Sequence, residues 1–276
     1  MASAANGIDL RERWVAIAIV GVLTGLLSGL LGIGGAAILV PGLVDVLGMS
    51  QHRASGTSLF VIIPTAVVAA IVYALGAQMD WPLVALFSVT AVVGALLGTV
   101  LNARMSAGLL RRLFGAFLLF VAIRLLIPGG PASDAPPPPS VLVQDSIVTI
   151  GEAVLGLVAG FMSGLLGIGG GQILTPGMIF LFDIPQKLAQ GISIAFIVPT
   201  AISGALAHYR RGNVEARVGI VLIPCSMVSG VVGAWLVQFI DASNLRFGFA
   251  LFLLYASSRM LAPRVWTSLL RRGRTA

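Results

Sequence analysis

Apolar residues run through this chain in long blocks, at about 14–33, 35–48, 54–76, 81–102, 108–127, 145–168, 170–183, 188–208, 217–240 and 246–262, with polar residues gathered between them. A bilayer span takes about 20 apolar residues, and against that length 35–48 and 170–183 stand out. Those two are too short to span untilted. From Trp14 to Gly48 the only charge is Asp45. That run far exceeds a signal-peptide core of about 7–15 residues, so it is expected to stay in the membrane. The pattern predicts an all-α polytopic membrane protein.

The blocks repeat. Residues Gly25 to Gly42 align without gaps, 135 residues on, with Gly160 to Gly177, and thirteen of the eighteen positions are identical. The offset continues through Gln51 to Ala66 against Gln186 to Ala201, pairing Gly56 with Gly191, Ser58 with Ser193, and Pro64-Thr65-Ala66 with Pro199-Thr200-Ala201. Shared apolar bias does not hold one register over about forty residues, so the halves are internal repeats. Between them lies a stretch with Pro-Gly-Gly-Pro and the run Pro136 to Pro139, a composition that packs no core and forms a semi-rigid linker. The chain divides into a first transmembrane repeat (1–127), a proline-rich linker (128–144), and a second repeat with a basic tail (145–276).

Composition agrees: 58% of residues are hydrophobic and 10% charged, against about 25% charged in soluble domains. The formal charge of +7 raises nucleic-acid binding, but the basic residues flank apolar blocks, which marks topology. With the N-terminus in the cytoplasm, each half reads as a hairpin broken at its glycines followed by three crossings. Of the 17 basic residues only Arg124, Lys187 and Arg246 then lie outside. Both termini are expected in the cytoplasm and the linker in the periplasm. An odd number of crossings per repeat inverts one half relative to the other, a transporter architecture.

Candidate chemistry sits at the glycine clusters, Gly32-Ile-Gly34-Gly35 and Gly167-Ile-Gly169-Gly170-Gly171. Glycine disfavours helix by about 1 kcal/mol per residue, and consecutive glycines form no packing ridge, so a helix break is expected at each. Freed backbone groups are tolerated in a membrane only against protein, water or ligand, and the helices that follow would aim positive N-termini at the break. Upstream, Gly21-xxx-Gly25-xxx-Gly29 and Gly156-xxx-Gly160-xxx-Gly164 read as close-packing ridges. The polar candidates for substrate contact are Ser28, Thr57, Ser58, Ser163, Gln172, Gln190 and Ser193; each can instead back-bond its own helix. Pro41, Pro64, Pro176 and Pro199, with Thr65 and Thr200, are candidate kink or gating positions, or simply shape the bundle. Asp45, Asp183 and Glu152 read as caps or solvated ends, with proton carriers as the alternative, and His52 and His208 as interfacial, which leaves no obvious intramembrane acid to carry a coupling cation.

Enzyme constellations are missing. There is no phosphate-binding loop, Cys225 is alone, and two distant histidines make no metal spacing. Neither cofactor nor metal is expected. An intramembrane hydrolase using Ser28 or Ser163 would lack an evident base, and a channel-like pore stays open as a second class. The expected partners are a small anion and membrane lipid, with no nucleic acid, and a homodimer is one assembly open to the chain.

The Gly25–Gly35 sequence with Pro41, repeated from Gly160 to Pro176, resembles the signature of the sulfite exporter TauE/SafE family of bacterial membrane permeases. The likeness covers essentially the whole chain. It implies a multi-pass protein of the bacterial cytoplasmic membrane that moves sulfite, sulfoacetate, or another sulfur-containing or organic anion. Ala36 departs from the third glycine kept as Gly171, which implies a tighter first break. Export is the expected direction, because an inside-negative potential contributes about 2.3 kcal/mol per charge per 100 mV to an anion leaving the cell.

Overall fold

The computed structural model describes residues 10–76, 79–102, 107–127, 146–166 and 169–262. They form ten α-helices: α1 (Leu10–Leu31), α2 (Ala36–Leu47), α3 (Gln51–Leu75), α4 (Trp81–Asn102), α5 (Ala107–Leu126), α6 (Ser146–Leu166), α7 (Gly171–Leu181), α8 (Gln186–Arg210), α9 (Ala216–Leu236) and α10 (Ala242–Leu261). A 3-10 turn, Val237–Phe239, follows α9, and there is no strand among the described residues. The proline-rich linker and the basic tail after Ala262 lie outside them.

Helices α1, α3, α4, α6, α8 and α9 are long and apolar enough to cross a membrane, and α2 and α7 are short apolar helices. The sequence pattern adds α5 and α10 as crossings; α10 carries Arg246 near its start and Arg259 near its end. Much of the outer surface is hydrocarbon: Ile19 and Leu23 on α1, Val89, Val93 and Leu96 on α4, Ile150 and Val154 on α6, and Val228 and Val232 on α9 are exposed. Apolar patches of that extent mark an interaction surface, here one suited to lipid.

Inside a bilayer helices gain little hydrophobic energy from meeting, so close backbone contact must hold them. The glycine ridges supply it. A Cβ on Gly25 would strike the Ser226 carbonyl, and one on Gly29 the Gly230 carbonyl and the Ala234 amide, which sets α1 along α9. Gly160 and Gly164 meet the Ala91 and Ala95 carbonyls in the same way, which sets α6 along α4. Exchanging the halves turns one pair into the other, as it turns α3 on α9 into α8 on α4 and leaves α3 on α8 and α5 on α10 as they are. Equivalent helices run antiparallel where they touch. On α3 and α8, Gly56 lies at His208 and Leu59 at Gly204. On α5 and α10, Ser257 Oγ donates to the Gly115 carbonyl at 2.9 Å and Arg246 to the Ile127 carbonyl at 3.2 Å.

Candidate functional site at the two helix breaks

Helix α1 stops at Leu31 and α2 starts at Ala36, so the first glycine cluster is the break between them. Gly32, Gly34 and Gly35 have φ of 67°, 79° and 64°, a left-handed backbone that costs a residue with a Cβ about 1–2 kcal/mol. Glycine makes the sharp turn there without that cost. In the second half α7 starts at Gly171, with Gly169 at φ 70° and Gly170 right-handed at −41°. Gly167 lies outside the described residues.

The breaks meet. A Cβ on Gly171 would stand 3.3 Å from Ile33 Cα, 2.7 Å from Ser193 Oγ and 2.8 Å from Ile197 Cδ1. One on Gly32 would stand 2.6 Å from Gln190 Cα, and one on Gly34 would stand 2.8 Å from Ile197 Cδ1. Gln190, Ser193 and Ile197 follow at i, i+3 and i+7, a single face of α8. That face is the floor on which both breaks rest, and Gln186 extends it one turn toward the start of the helix.

The floor is polar and unsatisfied. Gln190 and Ser193 on it, Gln172 next to Gly171 on α7, and Ser58 on α3, the counterpart of Ser193, are fully or almost fully buried. Ser58 Oγ, Ser193 Oγ, Gln190 Nε2 and both amide atoms of Gln172 make no hydrogen bond. On the α1 side a Cβ on Gly35 would lie 3.2 Å from Ser28 Cβ and 2.7 Å from Thr24 Cγ2, and both hydroxyls are buried without partners. No carbonyl among the described residues accepts from the amides of Ile33, Gly34, Gly35 or Ala37 at the N-terminus of α2. A buried polar group left without a partner costs about 1–3 kcal/mol, and several together at two helix N-termini are what a small anion would satisfy. Glu152 is the one charged side chain among the fully buried described residues, so no buried cation is present to do that work.

The other expected residues lie away from the contacts at the breaks or have partners within the bundle. Thr57 Oγ1 accepts from the Glu215 amide at 2.9 Å and so holds the start of α9. Thr65 Oγ1 donates to the Val61 carbonyl at 3.0 Å and lies 2.9 Å from Ser226 Oγ, while Thr200 donates to the Ile197 carbonyl at 2.9 Å. Pro41, Pro64, Pro176 and Pro199 lie within α2, α3, α7 and α8. Ser163 is buried on α6. Asp45 pairs with Arg259 at 2.8 Å, and Asp183 is exposed.

Glu152 corrects the reading of it as a solvated end. Its side chain is 0% exposed and neither carboxylate oxygen is hydrogen-bonded. It lies six residues into α6, about 9 Å along the helix, on the side turned into the bundle. Gln186, Thr24 and Thr175, also buried with unpartnered polar atoms, escaped the sequence reading. Periodicity could have found two of them, since Gln186 lies one turn from Gln190 and Thr24 one turn from Ser28.

An all-helical membrane protein with two glycine breaks meeting on a buried polar floor is built like a carrier of small solutes. The sequence model of the sulfite exporter TauE/SafE family matches residues 3–125 and, again, 153–275. The chain belongs to that family. It is 27% identical to the probable membrane transporter protein YunE of Bacillus subtilis, over 80% of this chain and 87% of that protein. It is 29% identical to the probable membrane transporter protein MJ0441 of Methanocaldococcus jannaschii, over 77% and 79%. A probable membrane transporter protein of Haemophilus influenzae is 32% identical over a shorter stretch, 39% of this chain and 44% of that protein. No solved structure matches the chain.

Proposed function

We propose that this protein, a membrane transporter by family, is a secondary carrier that exports a small sulfur oxyanion such as sulfite, sulfoacetate or another organosulfonate and catalyses no reaction. The observation that carries this reading is the set of unpartnered donors at the two breaks: the Ser28 and Ser193 hydroxyls, the Gln172 and Gln190 side-chain amides, and the backbone amides of Ile33, Gly34, Gly35 and Ala37; Ser58, the counterpart of Ser193 on α3, is buried without a partner as well. Hydrogen bonds to a charged group contribute about 1.5–3 kcal/mol each, so a few of them hold an oxyanion without arginine. The empty site then carries no stranded cation.

The antiparallel pairing of α3 with α8 and of α5 with α10 supports two inverted repeats, the arrangement expected of alternating access. The ion pairs of Arg53 with Glu215 and Arg259 with Asp45 join ends that the charge pattern assigns to the cytoplasm. The Arg246–Ile127 contact joins ends it assigns to the periplasm. The reading places the protein in the bacterial cytoplasmic membrane with both termini inside. Cysteines introduced at Ser133 and Asn213 in a Cys225→Ser background test it: an impermeant reagent on intact cells should label only the first.

The functional test is flux into and out of proteoliposomes under imposed potentials of either sign, with sulfite, sulfate, thiosulfate, sulfoacetate and simple carboxylates in turn. Saturable flux of a sulfur anion toward the positive side is the expected result. Conductance without saturation would make the protein a pore. A preference for carboxylates over every sulfur anion would reject the substrate class.

A further inference from the structure

The two hairpins, α1–α2 and α6–α7, follow one plan, and a Cβ on Gly42 meets Val20 just as a Cβ on Gly177 meets Leu155, the residue 135 positions later. One turn from Val20 is Ile17, 1% exposed, in a hydrophobic cluster with Leu39, Val40 and Leu43 of α2. In the second half the residue at Ile17's place is Glu152, the one at Val40's place is Thr175, and the one at Ala37's place is Gln172. Three hydrocarbon positions of one hairpin are three polar ones in the other. All three are fully or almost fully buried, and none of the carboxylate, hydroxyl or amide atoms is hydrogen-bonded.

A carboxylate is not held ionised in such a place without a partner, because burying a lone charge costs far more than neutralising it. The groups around it among the described residues offer no buried counter-charge. Just before α4 stands Asp80, itself acidic and acting electrostatically on Glu152, with Oδ1 accepting from the Leu83 amide at 3.1 Å. Helix α7 has no titratable residue, Asp183 beyond its end is exposed, and α8 carries Lys187, partly exposed, at its first turn and His208, Tyr209 and Arg210 at its opposite end. No group of three or more His, Cys, Asp or Glu able to hold a metal ion occurs among the described residues.

Glu152 is also mechanically tied to the break. Leu155, one turn along α6, packs against Gly177, and Ala159, two turns along, lies against Gly170 at the start of α7. Charge on Glu152 therefore bears on the packing of the half-helix whose N-terminus faces the site, and it opposes an anion placed there.

We propose that Glu152, in the hairpin that also buries Thr175 and Gln172, is a proton-binding site whose occupancy is coupled to the anion at the breaks. The inference rests on the carrier reading above and adds its coupling ion. An O–H bond forms on one carboxylate oxygen when a proton enters from water and breaks when that proton leaves, with no electron transferred. With the hairpin packed as it is here, the group is the neutral acid.

Two measurements on the full chain test this. Infrared difference spectra of lipid-embedded protein, titrated with acid and base, should show the carbonyl stretch of a protonated carboxylic acid at neutral pH in the wild type, and Glu152→Gln should lack it. In proteoliposomes with the potential clamped, sulfite flux should respond to a pH gradient in the wild type. Glu152→Gln should lose that response while keeping sulfite–sulfite exchange, since glutamine mimics the neutral acid. An ionised Glu152 at neutral pH, or a band that sodium removes at constant pH, overturns the proposal. So does a Glu152→Gln protein that answers the pH gradient as the wild type does. If the wild type moves no sulfite under any gradient, the substrate reading fails, and the infrared titration of the wild type still decides whether Glu152 holds the proton.

Discussion

The first and second breaks share thirteen of eighteen residues yet are not the same object. The first is a left-handed turn at three glycines that packs tightly: Gly32 lies on Gln190, Gly34 on Ile197, and Gly35 on Thr24 and Ser28. In the second, Gly169 is left-handed, Gly170 is not, and a Cβ on Gly169 would meet nothing within 4 Å among the described residues. The supporting hairpins differ in the same sense, with Ile17, Ala37 and Val40 in one and Glu152, Gln172 and Thr175 in the other. Duplication supplied one backbone device twice, and divergence has left one supporting hairpin apolar and the other polar, with open space at Gly169 but at no other described glycine of the breaks. Symmetry therefore belongs to the helix packing, and asymmetry to the lining of the hairpins.

The largest effect is expected where the halves are alike. Leucine at Gly25 or Gly160 would drive a side chain into the Ser226 or Ala91 carbonyl, and neither helix can yield without moving as a body. Overpacking against side chains costs about 1–3 kcal/mol, and backbone is less forgiving, so a loss of about 3 kcal/mol or more is expected from either variant. Yield and monodispersity after detergent extraction measure it. A large fall for one and none for the other would show that the two ridges are not equivalent.

Next come the hydroxyls. Ser58→Ala and Ser193→Ala should each weaken anion binding by about 1.5–3 kcal/mol, roughly ten- to a hundred-fold in Kd, read by titration of purified protein with the best substrate of the flux panel. Neither should destabilise the empty protein, since neither hydroxyl bonds to anything there. Ser193 stands against Gly171, so the larger loss is expected from Ser193→Ala; equal losses would place the anion on the pseudo-axis. Thr57→Val is the contrast. It should cost about 1 kcal/mol of stability through the lost contact at the start of α9 and leave anion affinity unchanged.

Much of the architecture was legible because membrane helices declare themselves through length and hydropathy, and because a repeat at constant offset shows in the letters. Both breaks fall at the glycine clusters, and α1, α2, α6 and α7 end and begin within a few residues of the blocks read from the chain. The site was legible only in part. Gln172, Gln190 and Ser193 lie where the breaks meet, but nothing in the letters separates Ser58, buried with an unpartnered hydroxyl, from Thr57, its neighbour on the same helix, whose hydroxyl accepts from the Glu215 amide. That choice depends on which way a helix is rotated in the bundle, and rotation is set by partners distant in sequence. Glu152 was misread for the same reason: position in the segment suggested an interface, and the face it occupies decides its burial.

The smallest effect is the most direct measure of the difference between the breaks. Alanine at Gly34 and at Gly169 should each pay for a Cβ in the left-handed region, about 1–2 kcal/mol, so that term cancels in the comparison. What remains is contact. At Gly34 the new methyl lies 2.8 Å from Ile197 Cδ1, while at Gly169 there is open space. Because Cδ1 is the movable end of its side chain, the excess for Gly34→Ala should be only about 1 kcal/mol. Chemical denaturation in detergent reads it, and Ile197→Val supplies the cycle. Shortening that side chain should recover about 0.5 kcal/mol or more of the Gly34→Ala loss, an ordinary coupling for residues in contact. The same change should recover nothing from Gly169→Ala. Equal losses at the two glycines, with no coupling to Ile197, would mean that both breaks are open and that the asymmetry of the site lies in Glu152, Gln172 and Thr175 alone.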